Sequence, residues 1–163
     1  MNPFDEIIKH NDIVFFDIDG TLARFRATKN RTVVGGDTWL EMCMGSKNPY
    51  LNTLTAIETM KTGVARLDQN RVYVLGQVDN SFEVNHKLQF LDLNYPSIIK
   101  SHIIFVAKSE QKIDVMKVMH RKLTDKKMIK SIKQMVLVED RLDTIELAEK
   151  EGFTTYHISC FIE

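Results

Sequence analysis

The stretch from Asp12 to Leu22 reads DIVFFDIDGTL: two carboxylates, Asp17 and Asp19, follow the apolar run Ile13, Val14, Phe15, Phe16 and precede Gly20 and Thr21. Along an extended chain, side chains two residues apart point the same way, so Asp17 and Asp19 are expected to face one cleft together. Like charges so placed are costly unless something compensates. Either one carboxyl keeps a proton, its pKa raised by its neighbour, or a cation sits between them and further ligands. An all-oxygen site suits Mg2+, which takes carboxylate and carbonyl oxygens while keeping waters and a substrate phosphate. Gly20 permits a tight turn after the pair, and the Thr21 hydroxyl is expected to fix that turn. The competing interpretation is a plain polar junction between strand and turn, since Asp and Gly are common turn residues.

Elements able to hold such a pair recur along the chain. Ile13 to Phe16, Val72 to Leu75, Ile103 to Ala107, Met135 to Val138 and Thr154 to Ile158 are expected strands. Each is short, rich in β-branched or aromatic residues and apolar at consecutive positions, as in a parallel sheet covered on both faces. Helical patterns lie between them: Leu51 to Ala65, Phe82 to Leu93, Gln111 to about Lys133 with a break near Thr124 and Asp125, and Leu142 to Glu151 ended by Gly152. This alternation predicts an α/β fold, a Rossmann-like three-layer sandwich with a central parallel sheet and right-handed crossovers. The interval from about 23 to 50 breaks the rhythm with Arg24, Arg26, Gly35, Gly36 and Trp39, and with a short helical pattern at Thr38 to Met44. It reads as a small insertion after the first strand, a candidate lid, because ligands of such sheets bind at the carboxyl ends of strands.

Composition narrows the function classes. A chain of 163 residues, 44% hydrophobic and 27% charged, has room for a single domain with a real core. Lys plus Arg and Asp plus Glu number 22 each, so no overall field favours nucleic acid or an anionic membrane. Cys43 and Cys160 lie far apart without metal-ligand spacing. They are expected to be packed thiols in a reducing, cytoplasmic compartment. The amino-terminal residues lack the basic and apolar run of a signal peptide, and no apolar stretch has the length of a membrane span. His10, His86, His102, His120 and His157 show no ligand spacing and are assigned no role.

FFDIDGTL, together with the order of strands and helices over the whole chain, resembles the first motif and layout of the haloacid dehalogenase superfamily, mostly Mg-dependent phosphatases and phosphomutases. The resemblance implies that Asp17 is a nucleophile forming an aspartyl-phosphate and that Asp19 is the general acid and base. A second aspartate also argues against dehalogenation. The family places a Ser or Thr at the end of its second strand to grip the phosphoryl group; here RVYVLGQVDN puts Gly76 at that place, a departure. The backbone N–H groups of Gly76 and Gln77 could still donate, and the Gln77 amide could replace the hydroxyl, whereas loss of one donor can cost roughly 10²-fold in rate. A lysine against the phosphoryl charge is implied at the helix before the fourth strand, where Lys112 is favoured over Lys108. VLVED, ending in Glu139 and Asp140, resembles the acidic pair closing the family's Mg2+ site. The implied metal ligands are Asp17, Asp19 and Asp140, with Glu139 nearby or bound through water. For Asp140 a helix-capping arrangement with Asp143 is the alternative.

The layout is also loosely similar to the superfamily's 5'(3')-deoxyribonucleotidases. That implies a small phosphorylated molecule as substrate, a nucleoside monophosphate first, with Trp39, Phe25 or Tyr50 as candidate stacking partners for a base. Packing of the insertion onto the core is the simpler use of those aromatics. Two other expectations stay open: a phosphate-binding or scaffold protein that lost turnover, motivated by Gly76, and a phosphatase for nucleic-acid ends landing on the basic stretch Lys122 to Lys133. Most of the nine basic residues between Lys108 and Lys133 are nevertheless expected on a solvated helix face.

Overall fold

The computed structural model describes residues 2–25, 44, 48–52 and 54–162. Most of the 23–50 insertion therefore lies outside the described residues, including Arg26, Gly35, Gly36, Trp39, Cys43 and the side chain of Phe25.

Five parallel strands form the central sheet: β1 (Ile13–Phe16), β4 (Val72–Gln77), β5 (Ile103–Val106), β6 (Met135–Glu139) and β7 (Thr154–His157), in the order β5-β4-β1-β6-β7. β1 is central, with Phe16 opposite Val74 on one side and Val138 on the other. Its four side chains are at most 1% exposed, as burial on both faces demands. Val14 and Phe16 enter one core with Phe4 and Ile7 of α1 (Pro3–His10), Met60 and Val64 of α2 (Glu58–Arg66), and Phe90 and Leu91 of α3 (Ser81–Asn94). Ile13 and Phe15 enter the other with Ile113, Met116 and Leu123 of α4 (Glu110–Asp125) and Ala148 of α5 (Leu142–Lys150). The chain is thus an α/β protein with a five-stranded parallel sheet between two helical layers. No helix among the described residues is long and apolar enough to cross a membrane.

Three local expectations are corrected. Leu51 to Ala65 is not one helix: a helical turn at Pro49–Asn52 gives way to β3 (Leu54–Ala56), and α2 begins at Glu58. β3 pairs antiparallel with β2 (Ala23–Phe25), Arg24 opposite Thr55, so a partner distant in sequence overrides local helical period. The helix beginning at Glu110 breaks where expected, at Asp125, but does not resume to Lys133: Lys127 takes a left-handed φ of 57° and the chain turns toward the short 3-10 segment Ile132–Gln134. Cys160 is exposed rather than packed.

α1 carries clear local signals of its own. Pro3 occupies a first-turn position, Asn2 accepts a hydrogen bond from the Phe4 N–H at 2.9 Å, and Asn11 closes the helix at φ 55°.

Candidate functional site

The turn after β1 sets the site. The Asp17 N–H donates to Val138 O at 3.0 Å, prolonging the β1–β6 ladder and bringing Asp17 beside the end of β6, where Glu139 and Asp140 follow. Backbone bonds close the loop: Leu22 and Ala23 N–H both donate to Ile18 O, and Gly20 N–H donates to Ala23 O at 2.8 Å. Gly20 has φ 78°, and a Cβ there would stand 2.1 Å from Asp140 Oδ2. The glycine therefore does two things: it takes a left-handed turn and admits the Asp140 carboxylate. Thr21 plays a different part from the one expected. Its hydroxyl is buried without a hydrogen-bond partner among the described residues, and main-chain bonds close the turn.

Asp17, Asp19, Gln77, Lys112 and Asp140 line one cleft of about 430 Å³ at the carboxyl ends of the strands. That volume lies within the range of small-molecule sites. Carboxylate oxygens of Asp17, Glu139 and Asp140 all lie within 4.8 Å of one another. The gathered set thus contains Glu139 and leaves out the carboxylate of Asp19, which turns to other partners. Three hard oxygen donors so close together fit a divalent ion of the Mg2+ kind. Asp140 does not cap the next helix, because Arg141 occupies that position and makes no side-chain cap bond. Glu139 Oε1 instead accepts from the backbone N–H groups of Asp140 and Arg141, shaping the loop that presents Asp140.

Lys112 comes from the first turn of α4 and is 2% exposed. Its Nζ donates to Asp17 Oδ1 at 2.6 Å and to Glu139 Oε2 at 2.7 Å. Lys108 is exposed, so Lys112 is the lysine that meets the carboxylates. Burial pushes the Asp17 carboxyl up to about 7; the Lys112 ammonium opposes the rise, and the Glu139 and Asp19 charges add to it. Burial likewise raises Glu139 and Asp140. Burial also works against the Lys112 charge, but Asp17 and Glu139 outweigh it and hold that lysine above its ordinary value. The cleft's lining carries five carboxylates, Asp17, Asp19, Asp79, Glu83 and Asp140, against the cations Arg24, Lys112 and Arg141. Lys112 is already shared between two carboxylates, and Arg141 pairs with Asp143 at 2.6 Å. An anionic ligand entering here needs added positive charge.

No protein-family model matches this chain, and no curated protein matches it.

Of the three residues expected to bind phosphate, Lys112 and Gln77 line the cleft and Gly76 does not. A Cβ on Gly76 would stand 2.7 Å from Ile18 Cδ1, on the core side of β4, so this glycine accommodates the Ile18 side chain between the two aspartates. Gln77 Oε1 accepts from Ser109 Oγ at 2.7 Å. Among the described residues its NH2 group has no partner and is the end of the amide open to a ligand. Tyr50 is fully buried, with its ring 6.2 Å from that of Phe90, so it is a packed residue and not a stacking platform for a base. The basic stretch Lys122 to Lys133 runs into the amino end of β6, whereas the cleft lies at the opposite end of that strand.

The sequence expectations passed over Lys87, Glu83 and His157. Lys87 is wholly buried; its Nζ lies 2.6 Å from Asp19 Oδ2 and 3.1 Å from Glu83 Oε1, and it also donates to Gln77 O. His157 Nε2 meets Asp140 O at 3.0 Å while its Nδ1 accepts from the Ser159 N–H, so the Nε2–H tautomer steadies the Asp140 backbone. Glu83 and Lys87 were visible in sequence as an i, i+4 pair, a spacing that ordinarily marks an exposed helix face. Nothing local distinguished His157.

Proposed function

We propose that this protein is a Mg2+-dependent phosphomonoesterase acting on a small phosphorylated molecule, a nucleoside monophosphate being the first class to try. The observation that carries it is the Asp17 carboxylate, buried at a strand's carboxyl end, bonded to Lys112 and sharing reach of one cation position with Glu139 and Asp140. The resemblance of FFDIDGTL to the haloacid dehalogenase motif supports the same reading.

Asp17 Oδ attacks phosphorus in line, and the P–O bond to the leaving group breaks to give an aspartyl-phosphate. Asp19, on the rim with a side chain 42% exposed, gives a proton to the leaving oxygen. It then takes a proton from the water that hydrolyses the aspartyl-phosphate. Lys112 places positive charge beside the nucleophile and the arriving phosphoryl oxygens, and the Gln77 NH2 is available to donate to them. Held by Asp17, Glu139 and Asp140, Mg2+ would offset the negative charge of the cleft and of the substrate phosphate.

Phosphate release from an aryl phosphate and from a panel of nucleoside monophosphates should require Mg2+ and fall to background in Asp17→Asn. Release that survives in this variant would sink the proposal.

A further inference from the structure

Two buried lysines, Lys112 lining the cleft and Lys87 behind it, hold carboxylates of the cleft, and the chemistry proposed above uses one of them. Each joins a motif aspartate to a glutamate: Lys112 joins Asp17 to Glu139, and Lys87 joins Asp19 to Glu83. The second triad has no role in binding a cation by the Asp17, Glu139 and Asp140 cluster, yet it is built as carefully. Lys87 has no exposed surface, and Asp19 Oδ2, Glu83 Oε1 and Gln77 O take up its three protons. Burial opposes its charge, but Asp19 and Glu83 outweigh that and raise its pKa, so the ammonium is kept.

The other Asp19 oxygen is held as well. Tyr50 O–H donates to Asp19 Oδ1 at 2.8 Å, and the Tyr50 hydroxyl oxygen also lies 3.2 Å from Glu83 Oε1. Tyr50 sits at the end of the insertion and is tied to α3. Asn48 donates to His86 O at 3.1 Å and to Gln89 Oε1 at 2.9 Å, and Lys87 Nζ lies 5.5 Å from the Tyr50 ring centre. Glu83 is anchored in turn, Oε2 accepting from the Asp79 N–H at 2.8 Å. Both oxygens of Asp19 are thus gripped from behind while its side chain stays 42% exposed at the cleft. A carboxyl group has about four lone-pair sites, so two remain on the cleft side, one of them able to carry the proton that passes to the leaving oxygen.

We infer that Lys87, assisted by Tyr50, is the positioning residue of Asp19, aiming its carboxylate at the leaving-group side of the cleft. This rests on the phosphomonoesterase reading. Without Lys87 the nucleophile and its lysine are untouched, but the proton donor loses its orientation. The loss should appear where the leaving oxygen needs a proton, in alkyl phosphates such as nucleoside 5'-monophosphates. In the first step, formation of the aspartyl-phosphate, it should be small for p-nitrophenyl phosphate, whose leaving oxyanion is stable by itself, whereas hydrolysis of the aspartyl-phosphate, which also uses Asp19, should slow for both.

Lys87→Met leaves Glu83 and Asp19 without their shared counter-charge and can unfold the protein. The double variant Lys87→Met/Glu83→Gln removes one charge of each sign, and Tyr50→Phe removes only a hydroxyl; thermal melts verify folding of both. With Mg2+ present, single-turnover release of the leaving group should slow about 10²-fold in the double variant for the alkyl phosphate and little for the aryl phosphate, lowering the alkyl-to-aryl ratio of first-step rates, while steady-state turnover of both falls. Tyr50→Phe should shift the alkyl-to-aryl ratio the same way by a smaller factor. An unchanged ratio in the folded double variant, with Asp19→Asn showing the selective loss, overturns this inference and leaves the hydrolase reading standing. Wild-type protein inactive on both substrates overturns both.

Discussion

In the proposed chemistry Asp17 must be buried enough to be aimed and charged enough to react, and these demands conflict. Its carboxyl is pushed up to about 7 from an ordinary 3.8, with burial as the largest cause. Folded protein therefore holds a proton that the unfolded chain releases across that window, and stability falls as pH rises through it. The stability from this group is complete below about 3.8 and gone once pH passes about 7. Asp17→Asn cannot titrate, so its melting temperature should gain on that of wild type as pH rises, read by thermal melts in metal-free buffer. A constant difference across the window would mean that Asp17 is ionised throughout. Mg2+ should raise the wild-type melting temperature most at the alkaline end, where the carboxylate is free to bind it. Asp17 and Asp19 were legible in sequence because two carboxylates after an apolar run is a local pattern. Lys87 was not, because nothing in a helix sequence tells a buried Glu/Lys pair from a solvated one.

At the scale of elements, α3 shows why. Its buried positions include Glu83, His86 and Lys87 beside Phe90 and Leu91, so it has no clean apolar stripe to mark the inward face. Its limits were nonetheless close to expectation, and so were those of the central strands, since these depend on local runs and turn residues. β3 was misread as helix because its partner β2 lies across the insertion. α1 went unread although its capping residues are plain. It covers one edge of the core through Phe4, 2% exposed, whose ring lies 4.8 Å from that of Phe161 and 6.4 Å from that of Phe16. Phe4→Ala should cost about 3–5 kcal/mol in a urea titration, the usual range for an aromatic removed from a packed core. A loss under about 1 kcal/mol would show that α1 is a dispensable flank.

Across the whole molecule, β1 is the strand on which everything else is hung. It is paired on both sides and covered on both faces, while among the described residues the β2–β3 ribbon has two short strands and no third. Amide exchange should accordingly be slowest in β1 and its neighbours β4 and β6, and much faster in β2 and β3. The reverse order would remove the rigid platform that the cleft requires. By itself the sequence determined the alternation of strands and helices, the doubly covered sheet and the carboxylate pair at the end of its first strand, because hydrophobic period and residue spacing are properties of neighbours along the chain. Only the tertiary structure decided that Glu139, and not the Asp19 carboxylate, joins Asp17 and Asp140. It also decided that Gly76 accommodates Ile18 and that a second buried lysine grips Asp19. These are matters of which side chains from distant segments share a volume closed to water, and that depends on how the strands and helices are stacked.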